Sequence, residues 1–166
     1  MPLEGISQPQ IIQINEMIRL RKYDGHAELA LPGYRDPVVY QNSEGIFDES
    51  NIPDLDYVTG MFRYLEGVGE AYFIEALENG GYIPIGDLTI KPENPPIAIW
   101  FDRYRRKGIG MMVMQMAIAR LRDLGYEKIT GSTVYKWNKT SLKMHQRLGF
   151  VIVAEDEREY TLEKTL

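Results

Sequence analysis

Arg105-Arg106-Lys107-Gly108-Ile109-Gly110 lies between an apolar, strand-like run, Ile97-Ala98-Ile99-Trp100-Phe101, and a long segment of helical spacing. Glycine lets a backbone approach a ligand closely and leaves its amides uncovered. A helix that begins at such a turn aims its unpaired N–H groups and the positive end of its dipole at the same point. The combination predicts an anion cradle with phosphate as its guest. The order of residues excludes two commoner phosphate loops. A P-loop closes on Gly-Lys-Ser/Thr, whereas here Lys107 precedes Gly108. A dinucleotide fingerprint needs a third small residue where Val113 stands.

Working outward, Ile109, Met112, Val113, Met116, Ala117, Leu121 and Leu124 recur at helical spacing, and Gly125 suits the left-handed residue that ends a helix. Upstream, residues 71–77 and 82–90 flank Glu78-Asn79-Gly80-Gly81, a hairpin whose Asn-Gly supplies the positive φ angles of a tight turn. Before it, Leu55, Val58, Met61, Phe62 and Leu65 predict a helix stopped by Gly67 and Gly69. Residues 31–53, rich in proline, glycine and asparagine, predict a long irregular connection holding a short helix. The near-alternation over residues 11–22 predicts one first strand. Downstream, residues 129–134 predict a strand, 138–148 a short helix, and 150–153 and 158–162 two closing strands. Strands and helices mixed in this order predict an α/β (α+β) sandwich, one domain over residues 1–166.

Composition narrows the function. With no cysteine, the chain has no disulfide, zinc ribbon or thiol nucleophile, and its two histidines, His26 and His145, lie too far apart in sequence to suggest a metal site. No metal is expected. The start lacks a basic region followed by an apolar stretch, and the longest apolar run, Ile109 to Ala119, falls short of a membrane span. A cytoplasmic location without membrane partner is expected. A net charge of −5 argues against nucleic acid. Residues 36–90 hold eleven acids against Arg63 alone, −10, so the remaining residues sum to +5. Such asymmetry suits a protein that holds an anionic ligand with one half and a cationic one with the other.

The Arg105-x-x-Gly108-x-Gly110 pattern between strand and helix resembles the pyrophosphate-binding motif of the GNAT superfamily of N-acyltransferases. Asn138, Ser141, His145 and the closing Gly149-Phe150 resemble its second motif, with histidine where the family often has tyrosine. Both occur in the family's order, and the resemblance covers residues 70–163. It implies a mixed, mostly antiparallel central sheet flanked by helices, with two splayed strands holding the pantetheine arm. The implied chemistry is acetyl transfer from acetyl-CoA to a primary amine by direct attack in a ternary complex. The implied cofactor contacts are the backbone of Ile99, Trp100 and Phe101, the cradle Arg105, Arg106, Lys107, Gly108, Ile109, Gly110 and Met111, and Asn138 and Ser141. His145 is the implied acid for the thiolate, and a backbone N–H near Trp100 or Phe101 the oxyanion donor. Glu75, Asp87 and Asp102 are candidate bases among which the sequence does not choose. Acceptor contacts are expected from Tyr34, Asp36, Tyr40 and Glu44 and from Tyr72 and Tyr82.

The acidic middle favours a small cationic amine as acceptor. A protein N-terminal or lysine acetyltransferase, or a non-catalytic acyl-CoA-binding module, is the alternative, and a homodimer is left open. Hydrolases lack support, because neither Gly-x-Ser-x-Gly nor His-Glu-x-x-His is present.

Overall fold

The first strand expected from the sequence is instead a hairpin, β1 (Ile11–Gln13) and β2 (Ile18–Lys22), in the computed structural model, which describes residues 5–166. The Asn15 carboxamide oxygen accepts from the Met17 and Ile18 amides, each at 2.8 Å, and folds the chain back where alternation alone would run on. The part of the leader reading and of the domain assignment that falls on residues 1–4 lies outside the described residues.

The connection expected to be irregular is largely helical. Pro32 sits in the first turn of α1 (Leu31–Tyr34), and Pro37 opens α2 (Pro37–Glu44), where a missing N–H costs nothing. Asp36 caps α2 through its carboxylate on the Val38 amide, and Gly45, at φ +66°, ends it. The prolines, read as breakers, mark helix starts. α3 (Leu55–Val68), capped by Asp54, runs through Gly67 and ends at Gly69, burying Val58, Phe62 and Leu65.

β3 (Glu70–Glu78) and β4 (Gly81–Ile90) form the expected hairpin, with Asn79 and Gly80 both at positive φ. β5 (Ile97–Ile99) completes a five-stranded antiparallel sheet in the order β1-β2-β3-β4-β5. α4 (Ile109–Asp123) buries Ile109, Val113, Met114, Ala117, Ile118 and Leu121; Met112, Met116 and Leu124, assigned to that face from spacing, are only partly buried. β6 (Lys128–Tyr135), α5 (Lys139–Arg147), β7 (Val151–Glu155) and β8 (Glu159–Thr165) follow, and the three strands form a second sheet ordered β6-β8-β7.

The large sheet buries both faces. On one, Tyr72, Ile74 and Leu88 pack with α4 and with Ile129, Val134 and Leu162 of the small sheet. On the other, Phe73, Ala98 and Trp100 pack with Tyr34, Val58 and Phe62 from α1 and α3. The two sheets meet at one parallel bridge, Glu93 to Thr130, where Asn94 donates to Thr130 and Thr130 to Pro92. Past that bridge β5 and β6 separate, and no ladder joins them among the described residues. This is the splayed pair that the resemblance implies. No helix among the described residues is long and apolar enough to cross a membrane.

Candidate functional site

A cleft of ≈ 550 Å³ opens on the β5 side of the gap, floored by Ile97–Ile99 and walled by the start of α4, by α5 and by α2. Gly108, the N-cap of α4, sits at φ +78° with open space where a Cβ would be, and Arg106 before it is also left-handed at φ +60°. The turn thereby presents the opening amides of a fifteen-residue helix, Ile109, Gly110 and Met111, to the cleft. Gly110 is flanked by Met144 of α5, whose sulfur lies 3.4 Å from where a Cβ would sit.

The four basic residues of this turn have different surroundings. Arg105 folds back on β5, donating from Nε to the Ile99 carbonyl at 3.2 Å and from Nη2 to the Trp100 carbonyl at 2.7 Å, with the Asp36 carboxylate at 3.7 Å. It is a strut holding the turn against the strand. Arg103 pairs with Glu78, which also accepts from Tyr104. Arg106 pairs with Asp102 at 3.1 Å on the exposed surface. Lys107 has no ion pair among the described residues and does not line the cleft.

Ile99, Arg105, Arg106, Gly108, Ile109, Gly110, Met111, Asn138 and Ser141 line this cleft together. Trp100 and Phe101 do not. The Trp100 side chain is fully buried in the opposite core, its N–H donates to the Ile85 carbonyl at 2.8 Å, and its carbonyl is taken by Arg105. Asn138 caps α5, accepting from the Ser141 amide at 3.3 Å and donating to the Asn42 carbonyl at 3.4 Å. Val38, Asn42 and Ser43 of α2 also line the cleft, and the sequence reading missed them. The capping signal Asp36-Pro37 was the clue to a helix there.

A second recess, ≈ 300 Å³, lies across the gap and shares Asn42, Ser43, Ile97, Ala98, Asn138 and Ser141 with the first. Its walls carry Tyr34, Glu44, Tyr64, Asp87, Lys91, Tyr135 and His145. Of the three candidate bases only Asp87 is here. Glu75 is clamped between Arg19 and Arg21 at 2.8 Å each, and Asp102 is held by Arg106 on the surface. Tyr34 and Glu44 reach the recess as expected, but Asp36 is spent on the α2 cap, Tyr72 is buried against Glu70, and Tyr82 lies beneath the Arg19 guanidinium.

Asp87 is 1% exposed. Its Oδ2 accepts from the Tyr34 hydroxyl and from the Trp100 indole N–H, both at 2.8 Å, and its buried Oδ1 has no partner among the described residues. Burial pushes its carboxyl up to about 7, against the pull of the two donors. Burial likewise raises the Glu44 carboxyl, although the Tyr57 hydroxyl donates to it at 2.7 Å. His145 is buried, with Nδ1 2.8 Å from the Ser141 carbonyl and its ring edge on Phe150. A carbonyl accepts only, so Nδ1 carries the proton of the neutral ring and Nε2 the lone pair. Burial lowers its pKa, which disfavours the imidazolium an acid would require.

A family model described as "Acetyltransferase (GNAT) family" matches residues 39–150. No curated protein matches the chain. Among solved structures, a domain from Methanocaldococcus jannaschii superposes at a TM-score of 0.74 with 20% identity, over 90% of this chain and 98% of that one. The microcin C7 self-immunity acetyltransferase MccE, solved with acetyl-CoA and AMP, gives 0.72 at 14% identity, over 96% and 98%. PaiA N-acetyltransferase from Thermoplasma acidophilum, solved with coenzyme A, gives 0.64 at 16%, over 90% and 99%. At these identities the likeness is one of fold.

Proposed function

The chain belongs to the GNAT acetyltransferase family, and from that premise we propose that it transfers the acetyl group of acetyl-CoA to a small cationic primary amine by direct attack in a ternary complex. The observation that carries this reading is the meeting of two recesses at Ile97, Ala98, Asn138 and Ser141. A thioester laid in the larger recess would present its carbonyl carbon at that seam, and an amine in the smaller one could reach it from the other side. The fit to acetyl-CoA rests on the donor set: the amides of Ile109, Gly110 and Met111 for the pyrophosphate, Arg106 beside them for phosphate charge, and the open edge of β5 for the pantetheine amides.

In this reading the donor for the developing oxyanion is a backbone N–H on the open edge of β5, since the Trp100 N–H is committed to Ile85. Arg105 positions rather than binds: it fixes the turn against the end of β5 through the Ile99 and Trp100 carbonyls. His145, neutral and tied to Ser141, holds α5 and offers Nε2 as an acceptor to the recess. The thiolate then takes its proton from the attacking nitrogen as that nitrogen loses charge. The cationic acceptor is supported by Glu44 and Asp87, the two carboxyls of the smaller recess, set against Lys91.

Free thiol measured with a colorimetric disulfide reagent, in the presence of acetyl-CoA and a panel of amines and peptides, tests the proposal. The chain has no cysteine and gives no background. Thiol release accelerated by polyamines or other small diamines is the expected result. Release with peptides alone would move the acceptor to protein amines. Failure of acetyl-CoA both to react and to raise the melting temperature would overturn the assignment.

A further inference from the structure

Asp87 presents a combination that structure alone does not require. A carboxylate almost wholly withdrawn from water normally has every oxygen engaged, because an unpaired buried polar atom costs the full desolvation of that group. Among the described residues Asp87 has both its donors, Tyr34 Oη and Trp100 Nε1, on Oδ2, and none on Oδ1. The fold works to arrange this. Gly33 brings α1 so close that a Cβ there would lie 2.3 Å from the Trp100 side chain, and Tyr34, the next residue, thereby reaches the carboxylate.

We infer that Asp87, a wall residue of the smaller recess whose buried Oδ1 has no hydrogen-bond partner among the described residues, is the group that receives the proton of the acceptor ammonium, and that Tyr34 and Trp100 are its positioning residues. This rests on the transferase reading above. The ammonium, R–NH3⁺, gives one proton to Oδ1, leaving R–NH2 and a neutral carboxyl. The nitrogen lone pair forms the C–N bond to the acetyl carbon, and the C–S bond breaks with its electron pair on sulfur. The second nitrogen proton converts the thiolate to the thiol, and Asp87 returns its proton to solvent. The other ionisable groups on the recess are Glu44 with Tyr57 behind it, Tyr64, Lys91, Tyr135 and His145. Glu44 adds negative charge that favours the protonated carboxyl, and its own hydrogen bond to Tyr57 leaves it less free for the role. A near-neutral carboxyl pKa is what a base working near pH 7 requires.

Two measurements on the full chain decide it. The first follows the Asp87 side-chain carboxyl carbon by NMR in the free protein, assigned with Asp87→Asn. A midpoint near neutrality is expected, and a carboxyl already ionised below about pH 5 overturns the inference whatever the acceptor. The second follows thiol release with acetyl-CoA and spermidine, the probe of the cationic class, against pH. The wild-type rate should rise through the same midpoint. Asp87→Asn should lose that limb and on the order of 10²-fold in kcat, with the KM for acetyl-CoA unchanged. Tyr34→Phe, which removes a donor from the charged form, should shift the limb to higher pH yet recover rate there. Spermidine turnover by Asp87→Asn within a few-fold of wild type, pH limb intact, refutes the base while leaving the transferase standing. No turnover with any amine of the panel removes the transferase reading and the inference with it.

Discussion

The carboxyl of Asp87 makes a stability prediction that is independent of any substrate. Its pKa of about 7 against the ordinary 3.8 means that the folded chain binds that proton more tightly than the unfolded one by about 4 kcal/mol. The sign follows from linkage. A carboxyl raised on folding stabilises fully below its unfolded pKa, and that contribution is lost as pH rises through the folded value. Of the total, about 3 kcal/mol should disappear between about pH 5 and pH 8.5. Asp87→Asn keeps an oxygen to accept from Tyr34 and Trp100 but never ionises, so it should escape the loss. Urea unfolding of both proteins across that range isolates the effect, because the other titrating groups appear in both and among those on the recess only the Glu44 charge acts directly on the Asp87 charge. The variant should gain about 3 kcal/mol on wild type from the acid to the alkaline end. A wild-type minus variant difference that stays flat within about 1 kcal/mol would refute the claim that Asp87 is buried without a partner for its charge. Together with the kinetic effect, the outcome would mark Asp87 as a position where stability is given up for function.

Gly33→Ala should destabilise by about 2 kcal/mol in thermal or urea unfolding, since its Cβ would overlap the Trp100 side chain. Arg120→Ala should cost on the order of 3–5 kcal/mol, because Glu70, fully buried, would lose both guanidinium bonds; adding Glu70→Gln should recover much of that, measured by the same unfolding. His145→Ala should retain turnover within about tenfold, as expected of a neutral ring that positions α5, whereas a loss on the order of 10²-fold or more would restore the acid role that its motif position first implied.

The elements that carry the larger cleft were legible in the sequence because each has a local cause. Gly108 answers to backbone conformation, Asn138 to an N-cap, and Asn79-Gly80 to a turn. The helices between residues 31 and 44 were misjudged because proline at a helix start and proline in a loop look alike until the capping aspartate is weighed beside it. The role of Arg105 was illegible for another reason. Whether a cation in a basic cluster meets a ligand or a carbonyl depends on the bend of the chain behind it, here the Phe101–Tyr104 turn that brings it back to β5. Asp87 was visible only as one carboxylate among three. What distinguishes it is who surrounds it, and those neighbours come from α1, some fifty residues upstream, and from Trp100 beyond the next turn.

The gap between β5 and β6 has a further meaning for the life of the molecule. Two strands that could have closed a continuous ladder past Glu93–Thr130 instead leave rungs for a guest to make. A guest that binds only the folded chain adds about 2.7 kcal/mol when present at a hundred times its dissociation constant. If acetyl-CoA is that guest, the persistence of this protein against proteolysis would follow the supply of its own acetyl donor, and a starved cell would clear it faster than a fed one.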